Sequence, residues 1–148
     1  MRIMGLDFGS HTIGIAISDP FGWTAQGQDT WRRSGNLDAD LKEMERLVQQ
    51  YEVKQVVIGL PKNLNGSLGP AANGVQEFAG LLADKLGLEV VLWDERLTTV
   101  AAEKVLLAGD VSRRKRKKVI DKMAAVLILQ NYLDWQSRPG QKETPKDV

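Results

Sequence analysis

Three carboxylates stand where a carboxylate is expensive. Asp7 lies in the apolar run Arg2 to Phe8, in line with Ile3 and Gly5 on one face of a strand. A charge there must be hydrogen-bonded, paired or bound to a cation. An Asp beside Gly9 and Ser10 can also turn the chain by accepting from local backbone N–H groups. Asp94 and Glu95 follow the apolar run Val90 to Trp93 at its carboxyl end. Adjacent strand residues point to opposite faces, so only one of the two faces any given site. A surface pairing with Arg96 would explain either. Asp121 opens the last apolar helix on the face of Ala124, Ala125 and Ile128. First-turn acids gain ~0.3–1 kcal/mol from the helix dipole, but that does not explain an acid on a face whose two alanines leave room for close approach. With no cysteine and a single histidine, His11, the set is oxygen-only and suits Mg²⁺ or Mn²⁺, one ion or two. Such ions activate water and neutralise charge on a phosphoryl group, the chemistry of phosphodiester hydrolysis.

The charge pattern points to the same substrate class. The chain of 148 residues has a net charge of +1, but residues 110–122 hold seven Lys/Arg against two Asp, a local +5. Elsewhere 13 Lys/Arg face 17 Asp/Glu, a charge of −4. A basic block on an acidic body attracts a polyanion at one place, through phosphate neutralisation and counterion release. A solvated, self-repelling loop would have the same composition. Absence of cysteine excludes a disulfide framework, a thiolate nucleophile and a cysteine zinc site. No run of 18 apolar residues is present, and Asp7 interrupts the N-terminus before a leader's apolar region could form, so a cytoplasmic protein with no membrane partner is expected.

These residues must be positioned by one domain, expected over residues 1–136 with a polar tail from 137 to 148. Arg2 to Phe8 and Thr12 to Ser18 read as adjacent strands joined by Gly9-Ser10-His11, with a weaker third strand near Thr24 to Arg32. Leu37 to Tyr51 is an amphipathic helix capped by Asn36, Val53 to Leu60 a strand closed by Pro61, Gly69 to Leu86 a helix and Glu89 to Trp93 a strand. A helix capped by Thr98 or Thr99 runs to Leu107, the basic block intervenes, and Lys118 to Trp135 forms the last helix. The order predicts an α/β fold, a mixed sheet with helices on both faces and a site beyond the carboxyl ends of its parallel strands.

The segments LDFGSHTIGIAISD, VVIGLPKNLNGSLGP, WDERLTTVAAE and KKVIDKMAAVLILQNYLD, in that order and spacing, resemble the YqgF or RuvX-like family of Holliday junction resolvases and pre-16S rRNA nucleases. The resemblance runs from the first strand to about Trp135. It implies an RNase H-like fold with a five-stranded mixed sheet and an acidic, metal-dependent centre. It matches Asp7 to the family's strand-one aspartate, Glu95 to the glutamate of its D-E-R motif and Asp121 to the aspartate of the last helix. Asn63 to Ser67 matches a family loop, with Asn65 where many relatives carry Asp, and His11 stands where relatives often carry Lys or Arg. The strand ending Gly59-Leu60-Pro61 supplies no acid, unlike the related resolvases, which leaves Glu95 as the middle ligand and Asp94 in reserve.

The expected function is therefore a divalent-metal-dependent endonuclease acting on structured RNA, in maturation of precursor 16S rRNA, free or on the ribosome, with Asp7, Glu95 and Asp121 as ligands. Arg113, Arg114, Lys115, Arg116, Lys117 and Lys118, with Ser10, His11, Asn63, Asn65 and Arg96, would contact nucleic acid. Cleavage of branched DNA uses the same centre, and the sequence does not separate the two substrates. Asp7-Phe8-Gly9-Ser10 also resembles the first phosphate loop of actin-like ATPases, but those enzymes close two such domains over a nucleotide and this chain has one. A non-catalytic RNA-binding module has no reason to keep a costly carboxylate cluster. Trp23, Trp31, Trp93 and Trp135 carry no assigned role. Oligomeric state is not legible.

Overall fold

The computed structural model describes residues 2–63, 65–95 and 113–137, with side chains in the last segment from 123 onward. Arg96, the helix expected up to Leu107, the side chains of Arg113 to Lys118 and of Asp121, and residues 138–148 of the expected tail lie outside the described residues.

Strand β1 (Arg2–Phe8) pairs antiparallel with β2 (Thr12–Ser18) through the short turn predicted, whose Gly9 N–H donates to Thr12 O at 2.8 Å. The expected third strand resolves into two short ones, β3 (Ala25–Gly27) and β4 (Trp31–Arg32), both antiparallel to β2. Helix α1 (Leu37–Tyr51) leads to β5 (Val53–Leu60), α2 (Pro70–Leu86) to β6 (Glu89–Asp94), and α3 (Arg113–Ser137) ends the described chain. The Asn36 side chain caps α1 by accepting from the N–H groups of Asp38 and Ala39, satisfying donors that a first turn leaves orphaned.

The sheet order is β3-β2-β1-β5-β6, with β4 beside β2; β1, β5 and β6 are parallel and the rest antiparallel. It is thus the expected mixed sheet, with six strands rather than five because the β3–β4 segment breaks where Gln28 N–H turns in to Ile15 O at 2.8 Å. Period-two alternation assigns the side chains to two faces. Met4, Leu6, Ile13, Ile15, Ile17, Val56, Ile58 and Leu60 pack against α1 and α2. Ile3, Ala16, Val57, Val91 and Trp93 pack against α3. Among the described residues no helix is long and apolar enough to cross a membrane.

Helix α3 differs from expectation at its start. It begins at Arg113, so the basic block is helical and Asp121 sits two turns inside the helix rather than in its first turn. Lys and Arg are good helix formers, which the reading of the block as a self-repelling loop left out. At its other end α3 is tied down by Tyr132, whose hydroxyl donates to Gln55 Oε1 at 3.1 Å beneath a T-shaped contact with Trp93. Burial pushes the Tyr132 phenol above its usual range. In between, the helix lies directly on β1. A Cβ built at Gly5 would stand 2.6 Å from Leu129 Cβ and 3.3 Å from Ala125 O, so only glycine admits the helix this close.

Candidate active site

Asp7 falls on the α3 face, in register with Ile3 and Gly5, and is half-buried. Its neighbours on both flanks are glycines. Across the antiparallel ladder it pairs with Gly14, which shares the face of Ala16. Across the parallel ladder Leu6 pairs with Ile58, and the next residues along the two strands are Asp7 and Gly59, the latter on the face of Val57. Neither flank offers a Cβ, and the space one would occupy at Gly59 is taken up by other side chains.

Glu95 fills part of that space. It leaves the end of β6 half-buried, and a Cβ at Gly59 would lie 2.9 Å from Glu95 Oε1 and 3.2 Å from its Cγ. The Glu95 side chain is therefore folded over Gly59 on the α3 face, about one strand spacing of ~4.8 Å from the strand that carries Asp7. Asp94 goes the other way. It pairs with Leu60, an α1/α2-face residue, is 1% exposed, and has Lys62 Nζ at 3.8 Å across a contact in which both side chains are buried. The reserve ligand thus stands on the face opposite Asp7.

Position 121 can be located from the backbone. Ile3 shares a cleft with Leu133, while Gly5 lies against Leu129 and Ala125, so α3 runs antiparallel to β1. Two strand residues advance ~6.6 Å and four helix residues ~6 Å. The step from Gly5 to Asp7 therefore corresponds to roughly one turn of α3 beyond the Ala125–Leu129 contact, toward position 121. Residue 121 is also on the stripe of Ala125 and Ile128, both fully buried against the sheet. Among the described residues no group of three or more His, Cys, Asp or Glu is arranged to hold a metal ion, and the Asp121 side chain lies outside that set.

The other expected contacts surround the same edge. Ser10 and His11 are exposed on the β1–β2 turn, and Asn63 and Asn65 are exposed in the loop leaving β5. That loop is held by its own side chains: Asn63 Nδ2 donates to Ser67 Oγ at 2.9 Å, and Ser67 N–H and Oγ donate to Asn65 Oδ1 at 3.0 and 2.7 Å. Gly66 takes a φ of +88° at its tip, a conformation that favours glycine. The two asparagines therefore shape the loop. Sequence reading missed Gly14 and Gly59; both become visible only when register sets them beside Asp7.

Comparison with known proteins bears on this arrangement. The family described as "RuvX: Holliday junction resolvase" matches residues 1–135. The chain belongs to the RuvX family. Among its relatives, a protein of Heliobacterium modesticaldum named "Putative pre-16S rRNA nuclease" is 58% identical over 148 residues, covering 100% of this chain and 99% of that one. One of the same name from Clostridium tetani is 58% identical over 134 residues, covering 90% and 96%. Among solved structures, RuvC of T. thermophilus in complex with a Holliday junction substrate covers 93% of this chain and 97% of its own, with a TM-score of 0.58 at 12% identity. That likeness shows that this RuvX chain has the RuvC-like, RNase H-like fold. The expected α/β class and both-faced helices are thereby borne out.

Proposed function

We propose that the chain is a divalent-metal-dependent endonuclease of structured RNA, cutting precursor 16S rRNA, with Asp7, Glu95 and Asp121 as its ligands. The observation that carries this is Asp7 on the α3 face, paired with Gly14, with Glu95 folded over Gly59 on that same face. Glycine flanks and carboxylate oxygens on one face fit a hard cation, which takes oxygen ligands and keeps water. Asp121 would complete the set from the stripe of α3 that rides on β1. When bound, Mg²⁺ or Mn²⁺ supplies positive charge opposite a phosphoryl group.

The chain's own residues do the rest. Gly5 seats α3 and keeps the level of its small-residue stripe, and Gly59 lets Glu95 lie flat. The six basic residues from Arg113 to Lys118 form the first turns of α3. Cations there oppose the helix macrodipole, and first-turn N–H groups with basic side chains suit backbone phosphates. An arrangement that costs stability in the free protein is one that a polyanion would relieve. Ser10, His11, Asn63 and Asn65, exposed on the turn after β1 and the loop after β5, would add polar contacts to the backbone.

The named relatives, at 58% identity, favour RNA, whereas the family description names a DNA junction. One preparation offered a precursor-16S rRNA fragment and a four-way branched DNA decides between them. The expected result is cleavage of the RNA that stops on chelation and returns with Mg²⁺. Cleavage of the branched DNA alone would make the chain a junction resolvase, and binding without cleavage of either would make it a binding module.

A further inference from the structure

The ladder between β1 and β5 runs out at Leu6, while that between β1 and β2 continues through Asp7 and Phe8. The turn beyond is closed by the Gly9 N–H on Thr12 O, and one more distant residue holds it from outside. Arg33 donates its backbone N–H to His11 O at 2.9 Å, and its Nη1 donates to Gly9 O at 2.8 Å and reaches Ser10 O at 3.5 Å. Its guanidinium carbon lies 4.4 Å over the Phe8 ring, which stacks in turn on Phe78 of α2. Every residue from 8 to 11 is thus touched by Arg33. The guanidinium is itself aimed: Nε donates to Asp40 Oδ2 at 2.8 Å, and the other oxygen of that fully buried carboxylate accepts from Trp31 Nε1 at 2.9 Å. Asp40 belongs to the first turn of α1, so the chain runs from α1, through one planar five-donor group, to the residues that follow Asp7.

A buried ion pair is weak grounds for stability, since apolar replacements of the whole pair are often neutral. Its fork geometry is strong grounds for orientation, because the guanidinium fixes several acceptors at once. A ligand in a metal site must be held to about 0.5 Å. We propose that Arg33, aimed by Asp40, is a positioning residue that fixes Phe8 to His11 and so the direction of the Asp7 carboxylate. The proposal rests on the reading of Asp7 as a ligand.

Two variants test it beside the wild type and Asp7→Asn. Arg33→Lys keeps the charge next to Asp40 but loses the fork. The double variant Arg33→Met, Asp40→Asn removes the pair without stranding a buried charge. Residues that orient metal ligands typically change affinity or activity 10- to 100-fold. Both variants should therefore need at least about tenfold more Mn²⁺ for half-maximal cleavage of the precursor-rRNA fragment, with faster amide hydrogen exchange confined to residues 8–12. If the double variant keeps the wild-type Mn²⁺ requirement while Asp7→Asn is inactive, the positioning role is wrong and the nuclease reading stands. If Asp7→Asn is fully active, that reading falls, and unchanged exchange at residues 8–12 would then overturn the hold of Arg33 on its own.

Discussion

Asp7→Asn is expected to leave the protein folded and bound to precursor rRNA while reducing cleavage by about 10³-fold or more. The substitution is isosteric and the flanks are glycine, so no new contact is forced. What is lost is one negative oxygen from an oxygen-only set. A contact of this kind carries several kcal/mol of charge stabilisation, and each ~1.4 kcal/mol is a factor of ten in rate. The direction of the stability change separates a site from a scaffold. Asp7 and Glu95 share one face, so removing one charge in metal-free protein relieves like-charge repulsion, and the melting temperature should rise or stay constant. Single-turnover cleavage, RNA binding and thermal melting on one preparation measure all three. Joint loss of binding and fold would assign Asp7 a structural role.

Gly59→Ala is expected to lower cleavage by about 100-fold with a much smaller effect on folding. The new methyl would stand 2.9 Å from Glu95 Oε1, 3.2 Å from its Cγ and 2.5 Å from Ile128 Cδ1. Both neighbours are the ends of flexible side chains, so the fold can absorb the group by moving them. Moving Ile128 Cδ1 costs packing. Moving Glu95 takes a carboxylate off the site, and a misplacement near 1 Å can cost on the order of 10²-fold in rate. Adding Ile128→Val removes the atom in the tighter contact, so the double variant should recover stability without recovering activity. Wild-type cleavage by Gly59→Ala would mean that Glu95 does not work from its seat over Gly59.

The acids were legible because they break local rules. A carboxylate inside β1 and another at the end of β6 conflict with their apolar surroundings, and such conflicts mark function. The elements were legible where periodicity was strong: β1, β2, α1 and β5 have the limits read from the sequence. What escaped depended on partners distant in the chain. Strand alternation said that only one of Asp94 and Glu95 could face a site, but the Leu60–Asp94 register was needed to send Asp94 to the other face. Gly14 and Gly59 act by lacking a side chain, which is informative only once Asp7 stands between them. Arg33 and Asp40 carry no local sign of their role, because nothing near them in the chain reveals that one guanidinium reaches back to Gly9 and Ser10. The basic run was misread for the opposite reason: its charge suggested repulsion, while its helix propensity and the apolar stripe that follows it carry α3 back to Arg113.

The central claim is convergence of Asp7, Glu95 and Asp121 on one divalent ion. Equilibrium binding of Mn²⁺, followed by its electron paramagnetic resonance signal in wild type, Glu95→Gln and Asp121→Asn, tests it most directly. A site in the wild type that weakens at least about tenfold in each variant, with helix content unchanged, is the predicted result. Undiminished Mn²⁺ affinity in both variants would contradict it.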